Sequence, residues 1–298
     1  MTITHLGELA ALGTAVCWTI TPMAFESAGR RIGSLTVNLI RLLLALILLS
    51  LFNGATRGLI LPVDASSRTW LWLAVSGLIG FCIGDLCLFR AFVVLGSRLS
   101  MLMMALVPPI TAMIGWIIMN EHLAPRDWAS MALTIGGVAW VVLERKRDEK
   151  GNHIRHPISG LLLGLGGALG QAMGLVLSKF GMGDYNAFAA TQIRVLAGSA
   201  GFAILFLVIG WWPRVVAAFQ DRRAIAHTTL GAIFGPFLGV SLSLVAVQNT
   251  EAGVAATIMA LVPVLIIAPS VLIFKERVTT RAVVGAVIAV SGTVLLFL

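Results

Sequence analysis

Charge is what this chain has least of. Asp, Glu, Lys and Arg make up 11% of its 298 residues, against about 25% in a soluble globular domain. Water therefore cannot be the main solvent of its surface, and a mean hydropathy of +0.97 agrees. Cysteine is scarce too. Cys17, Cys82 and Cys87 all fall inside apolar stretches, and an odd number so placed argues against a disulfide framework. They read as small apolar filler. Met1 to His5 carry no Lys or Arg, and Leu6 onward reads as a mature span, so a cleavable leader is not expected. No strand alternation of useful length appears, which excludes a transmembrane barrel.

Enzymatic signatures are equally thin. His5, His122, His153, His156 and His227 stand at span ends or in loops. No pair of them has the i, i+4 spacing with an interposed carboxylate that a zinc protease needs. There is no Gly-x-Ser-x-Gly elbow. The run Gly164 to Gly170 lacks the spacing, preceding strand and downstream acid of a dinucleotide loop. Neither a metal nor any other cofactor is expected, and the chain does not read as an enzyme.

What the chain does have is apolar length. A helix needs about 20 mostly apolar residues to cross a hydrocarbon core of about 30 Å. Ten such spans fit, at 6–25, 33–53, 70–94, 98–119, 126–143, 158–179, 187–210, 226–248, 253–274 and 280–298. They leave short loops and no soluble domain, with the lipid bilayer as the principal partner. The longest polar run, Glu144 to Pro157, cuts the chain near its midpoint and suggests units at 1–150 and 151–298. A net charge of +8 raises nucleic acid as a partner. The basic residues, however, lie in inter-span loops as the positive-inside rule requires, so nucleic-acid binding is not expected. Loops 1, 3, 5, 7 and 9 hold fourteen of the 21 Lys and Arg, and the other loops four. By charge the odd loops face the cytoplasm and both termini face outside, in a cell's inner membrane. A monomer is compatible with all of this, and nothing in the sequence sets the oligomeric state.

The informative signal is self-similarity. Met104-Ala-Leu-Val-Pro108 recurs as Met259-Ala-Leu-Val-Pro263, 155 residues on. At that offset Glu121 matches Glu276, Arg126 matches Arg281, Gly137 matches Gly292, and Gly80-x-x-x-Gly84 matches Gly235-x-x-x-Gly239. Nearer the start the offset is 153, pairing Ile40-Arg41 with Ile193-Arg194. Five spans per copy is an odd number, so tandem copies enter the bilayer with opposite orientation. Inverted repeats are a common transporter architecture, with substrate held near the midplane between the halves. The expected fold is therefore an all-α polytopic membrane protein, ten transmembrane helices as two inverted five-helix repeats around a central cavity.

At Pro108…Glu121 and Pro263…Glu276, each followed by a glycine-bearing last span, the chain resembles the EamA-type repeat of the drug/metabolite transporter superfamily. The resemblance covers nearly the whole chain and implies ten spans, a central cavity and export of metabolites. Overall the sequence looks most like the bacterial aromatic amino-acid exporters of that group. Many relatives are drawn with both termini in the cytoplasm, whereas the charges here place them outside.

Candidate residues follow from cost and position. Gly80, Gly84, Gly235 and Gly239 place small residues on one helix face, where backbones can approach closely. They read as static packing or as a surface over which helices slide. Pro108 and Pro263 occupy matched positions and read as paired bends or passive kinks. Glu121 and Glu276 fall at span ends, where pairing with loop cations or capping a helix is expected. An intramembrane charge is costly and is a functional hypothesis by default. Asp85, near the middle of span 3, could be a proton site, a ligand for a substrate amine, or half of an ion pair. Arg90 stands five residues on, too far round the helix to pair with it. Arg41 and Arg194 are expected to bond carbonyls or an acid on another helix. An amphiphilic substrate with a ring needs an apolar, polarisable cavity with a few polar groups. Candidates are Trp18, Thr21, Phe81, Met101, Gln171, Ser178, Phe237, Ser241 and Met259. Gln171 aligns with Trp18 and stands among Gly and Ala with no local partner. The reading is a secondary transporter for small amphiphilic metabolites, amino acids and aromatic ones among them, working by alternating access. Its rivals are proton-coupled multidrug or cation efflux, a membrane-embedded enzyme acting on a lipid or isoprenoid, and a non-transporting receptor or scaffold.

Overall fold

The computed structural model describes residues 5–119, 124–143, 146–147, 153–154, 157–249, 258–275 and 278–297. Glu121 and Glu276 lie outside the described residues. The apolar runs form helices: α1 (Leu6–Ile32), α2 (Ser34–Arg57), α3 (Ser67–Leu95), α4 (97–119), α5 (Pro125–Val142), α6 (Ile158–Met182) and α7 (Ala187–Val208). A short α8 (Trp212–Ala218) precedes α9 (222–249), α10 (262–274) and α11 (Thr280–Phe297). Strands β1 (Lys146–Arg147) and β2 (His153–Ile154) pair antiparallel in the central polar run. Among the described residues, seven helices are long and apolar enough to cross a membrane, and Val262–Leu272 and Thr280–Leu295 are shorter apolar helices.

Local chemistry sets the corners. Gly33 and Gly96 sit at φ 85° and 86°, so α1 turns into α2, and α3 into α4, at single residues that no L side chain would occupy without strain. Elsewhere the orphan amides of helix starts find side chains. Ser66 accepts from Thr69 N, Asn186 from Phe188 N and Ala189 N, and Asp221 from Ala224 N.

One boundary differs from the sequence reading. Helix α1 continues past residue 25 to Ile32 because its polar last turns have partners waiting. Arg30 donates to Glu26 at 2.9 Å, Ser27 bonds His227 Nδ1 at 2.9 Å, and Arg31 pairs with Asp221 at 2.8 Å. The other oxygen of the buried Glu26 accepts the Ser97 amide at 2.5 Å and so caps α4.

Packing follows the duplication. Helix α1 lies along α9 as α6 lies along α3, while α2 packs on α7 and α5 on α11. Exchanging the halves maps each of these pairs onto its mate or onto itself. The α5–α11 seam is the tightest case. A Cβ at Gly137 would lie 2.8 Å from Ala289 Cα, and one at Gly292 would lie 2.5 Å from Thr134 N. These are matched contacts, since Gly137 corresponds to Gly292 and Thr134 to Ala289. Among the described residues each half holds five helical segments, the short α8 aside, and five crossings per half would invert the second half relative to the first. With the native cysteines replaced, Ser66→Cys before α3 and Gln220→Cys before α9 should meet a membrane-impermeant maleimide from opposite faces. Labelling of both in intact cells, or of neither, would remove the inverted arrangement.

Candidate functional site

Two helix crossings frame the centre of the molecule. Helix α6 runs antiparallel to α3, and a Cβ at Gly84 would come within 3.1 Å of Gly170 Cα, one at Gly174 within 3.1 Å of Gly80 Cα. At the far end of this seam Ser76 donates to the Gly174 carbonyl at 2.6 Å and bonds Ser178 at 2.8 Å. The mate crossing, α1 on α9, uses the matched glycines with larger side chains against them. Thr21 meets Gly235, Trp18 meets Gly239 and Phe25 meets Gly231, each a tight fit against the glycine. Both partners of the duplication contain a π-helical turn, Leu78–Gly84 in α3 and Ile233–Gly239 in α9, at the same offset of 155 residues. Such turns add a residue to the helix and are frequent at functional sites. In α9 Pro236 sits within the turn and has no N–H to give to the regular helical ladder.

The first charged group beyond the α3 turn is Asp85, 3% exposed. One carboxylate oxygen pairs with Arg41 of α2, itself 3% exposed, and the other accepts from Gln171 Nε2 of α6 at 2.8 Å. Asn38 orients the pair from one turn away. Its amide nitrogen donates to the Asp85 carbonyl at 3.0 Å, and its oxygen accepts from Arg41 Nε at 3.0 Å. The Arg41 guanidinium also lies 4.4 Å from the Phe89 ring centroid. Arg194 of α7 stands within electrostatic reach of Asp85 and 4.7 Å over the Phe81 ring. Removing an ion pair from water costs several kcal/mol per ion unless attraction and hydrogen bonds repay it. For Arg41 and Asp85 both conditions are met.

These groups line a cavity of about 240 Å³ between the halves. Its wall is mostly apolar: Trp18, Pro22 and Phe25 from α1, Phe89 and Phe92 from α3, Met101 and Met104 from α4. Its polar lining comprises Gln171, Arg41, Asp85, Arg194, Thr21 and Ser243, and the rings of Phe25, Phe81 and Phe89 lie against the guanidiniums.

The EamA-like transporter family matches the chain twice, over residues 5–143 and 158–298. The chain belongs to that family. A search of curated proteins finds no match. A solved crystal structure of a protein is similar over 97% of this chain and 95% of its own, at 15% identity and a TM-score of 0.60. That likeness concerns the fold alone.

Within this EamA-like framework the candidate residues separate clearly. Trp18, Thr21, Phe81, Asp85, Met101, Gln171 and Met259 line the cavity, as do Pro108, Gly235 and Pro263. Gly80, Gly84 and Gly239 are consumed in the crossings. Three candidates lie elsewhere. Ser178 is fully buried against Ser76 and the Gly174 carbonyl, because the α3–α6 seam closes over it. Phe237 joins Phe52 and Phe188 in an aromatic trio, at 5.9 and 6.2 Å. Ser241 is fully buried and its hydroxyl makes no hydrogen bond. Gln171 is not without a partner, since the acid across the crossing takes its amide. Phe89 and Phe92 escape the sequence reading, although they follow Asp85 at i+4 and i+7, one helix face. Glu26 escapes it too, falling one residue beyond the first span as hydropathy draws it.

At each membrane end a tie joins the halves. At one end Tyr185 Oη donates to Asp64 at 2.8 Å, beside the Arg57–Asp64 pair at 2.5 Å. That hydroxyl, ahead of Arg57, holds the Asp64 carboxyl below the usual carboxylate range. At the other end the Ala224 amide, then Arg31, does the same for Asp221. A lowered folded value means each tie is fully present above the ordinary aspartate range. It is lost only as pH falls through the lowered value.

The buried charges predict an order of stabilities. Asp85→Asn leaves two guanidiniums uncompensated and should cost about 3–5 kcal/mol. Arg41→Gln leaves Asp85 still near Arg194 and should cost less, and the double variant should recover part of the loss of Asp85→Asn. Melting of the detergent-purified variants checks the order, and equal melting of all three would contradict it.

Proposed function

We propose that the protein is a secondary transporter that moves small amphiphilic metabolites outward across a cell's inner membrane by alternating access. Amino acids, aromatic ones included, are the leading class of substrate. The carrying observation is the cavity at the junction of the matched crossings, a mostly apolar and aromatic wall that holds a few charged and polar groups. Pockets for drug-sized molecules run to about 300–1,000 Å³, so a cavity of about 240 Å³ suits a smaller solute. A ring would lie against Trp18, Phe89 and Met101, and a polar end against the group formed by Gln171, Asp85 and the arginines. Units at 1–150 and 151–298, ten crossings and termini outside belong to the same reading.

Gating would rock one half against the other about the crossings. The ties Asp64–Tyr185 and Arg31–Asp221 would open by turns, which weak, solvent-screened contacts permit. Proton-coupled cation efflux is the weaker reading, because Asp85 already faces Arg41, Arg194 and the Gln171 amide. A substrate cation would find its acid occupied.

Purified protein in liposomes loaded with unlabelled amino acids should take up radiolabelled phenylalanine or leucine by exchange. Silence over a broad panel of amino acids, nucleosides and quaternary amines would sink the reading. Gln171→Ala should slow exchange on the order of 10-fold, as for a lost hydrogen bond to a charged group, and leave the protein folded, with a smaller loss of stability than Asp85→Asn because Arg41 still faces the acid. Unaltered exchange would take Gln171 out of the site.

A further inference from the structure

Among the described residues, three charged side chains line the cavity, and their signs do not balance: Arg41 and Arg194 face one carboxylate, Asp85. Both oxygens of that carboxylate are engaged, one by Arg41 and one by Gln171. Arg194 is left over. It is 5% exposed, its Nε has no hydrogen-bond partner, and among the described residues no carboxylate forms an ion pair with it. The face of Phe81 lies against it at 4.7 Å, and Asp85 reaches it only across a distance longer than an ion pair. A buried guanidinium in that condition is expensive, and more so inside a membrane.

The duplication shows what is missing. Arg194 is the counterpart of Arg41, 153 residues on, and the counterpart of Asp85, 155 residues on, is Val240. Val240 lines the cavity. One half thus supplies its own acid to its arginine. The other half has the arginine, and open space where the acid would project. We infer that Arg194 is the anchor for a carboxylate on the transported molecule, which takes the place opposite Val240 that Asp85 takes in the first half. The inference rests on the transport reading above and narrows it. A guanidinium offers a planar fork that matches a carboxylate, and a single unpaired one selects a monoanionic group. The surplus positive charge repels free cations. The rest of the wall is mostly apolar, with Thr21, Gln171 and Ser243 its polar exceptions, and receives a hydrocarbon or aromatic body. The substrate class is a small apolar or aromatic monocarboxylate, with or without an α-amine.

Three probes that share one ring separate the possibilities: phenylacetate, phenylalanine and phenethylamine. Calorimetric binding to the purified wild-type protein should detect the two carboxylates and not the amine. Arg194→Gln should weaken carboxylate binding at least 10-fold, and Arg194→Lys, which keeps the charge and loses the fork, should fall between. Val240→Asp should give Arg194 the internal partner that Arg41 already has. That variant should melt no lower than wild type and lose carboxylate binding. If Arg194→Gln does not fold, the wild-type selectivity and Val240→Asp decide the matter. Equal or better binding of phenethylamine, unchanged affinity in Arg194→Gln, or full carboxylate binding by Val240→Asp would each overturn the inference. Exchange of the amine alone in liposomes would overturn it and leave transport standing. Silence toward all three, with the wider panel also silent, would overturn both.

Discussion

Close approach of helices at two matched glycine-lined crossings, backbone on backbone at α3–α6 and side chain on glycine at α1–α9, governs the rest of this molecule. Inside a membrane no hydrophobic drive brings helices together, so association depends on dispersion, hydrogen bonds and close fit. At the α3–α6 crossing the contact is between Gly84 and Gly170. The next residues in the chain are Asp85 and Gln171, so the same contact places acid and amide within 2.8 Å of each other. A side chain at either glycine would force the helices apart and dissolve that bond. The chemistry of the cavity is in this sense a consequence of two missing Cβ atoms.

The duplication preserves packing and lets chemistry diverge. The π-helical turns coincide, the seams run antiparallel in both halves, and the proline-bearing segments at Pro108 and Pro263 both reach the cavity. The side chains at matched positions do not agree. Trp18 stands where Gln171 does, Phe25 where Ser178 does, and Val240 where Asp85 does. Two symmetric halves would give a cavity with no direction. These exchanges make the wall unequal, with Trp18 and Phe25 on α1 where α6 carries Gln171 and Ser178. Backbone geometry is constrained by the fit of helix on helix, whereas a cavity wall is free to vary, which explains why the two levels part company.

That division also sets which features are legible in the sequence. Span positions and the internal repeat are one-dimensional signals, carried by apolar run length and by repeated words such as Met-Ala-Leu-Val-Pro. The cost of burying Asp85 marks it, and the repeat marks Arg41 and Arg194. Their partnership does not show, because Arg41 and Asp85 lie 44 residues apart on different helices. Gln171 reads as partnerless for the same reason, its acid being 86 residues away. Ser178 illustrates the opposite error. A hydroxyl in a glycine-rich helix fits a cavity or a seam equally well by sequence, and only the arrival of Ser76 from α3 decides for the seam. The end of α1 is misplaced by hydropathy because polarity at Glu26 to Arg31 looks like a loop until His227 and Asp221 are brought alongside.

The same energies say where the molecule can bend. The terminal ties, one a Tyr185–Asp64 hydrogen bond and the other the Arg31–Asp221 pair, lie at the surface, where solvent screens such contacts and leaves them weak. Thermal motion can break them, and each can reform when the opposite one opens. The central group cannot be treated so. Asp85 on α3 is bonded both to Arg41 on α2 and to Gln171 on α6, and parting the buried ion pair strands a charge at about 3–5 kcal/mol. Because Gln171 belongs to the second half and the other two to the first, that group bridges the halves at the depth of the crossing. A rocking motion that keeps it intact must pivot there, with displacement growing toward the two membrane faces. Fixed centre and labile ends are the mechanical requirement of alternating access, and here both follow from how deeply each charge is buried.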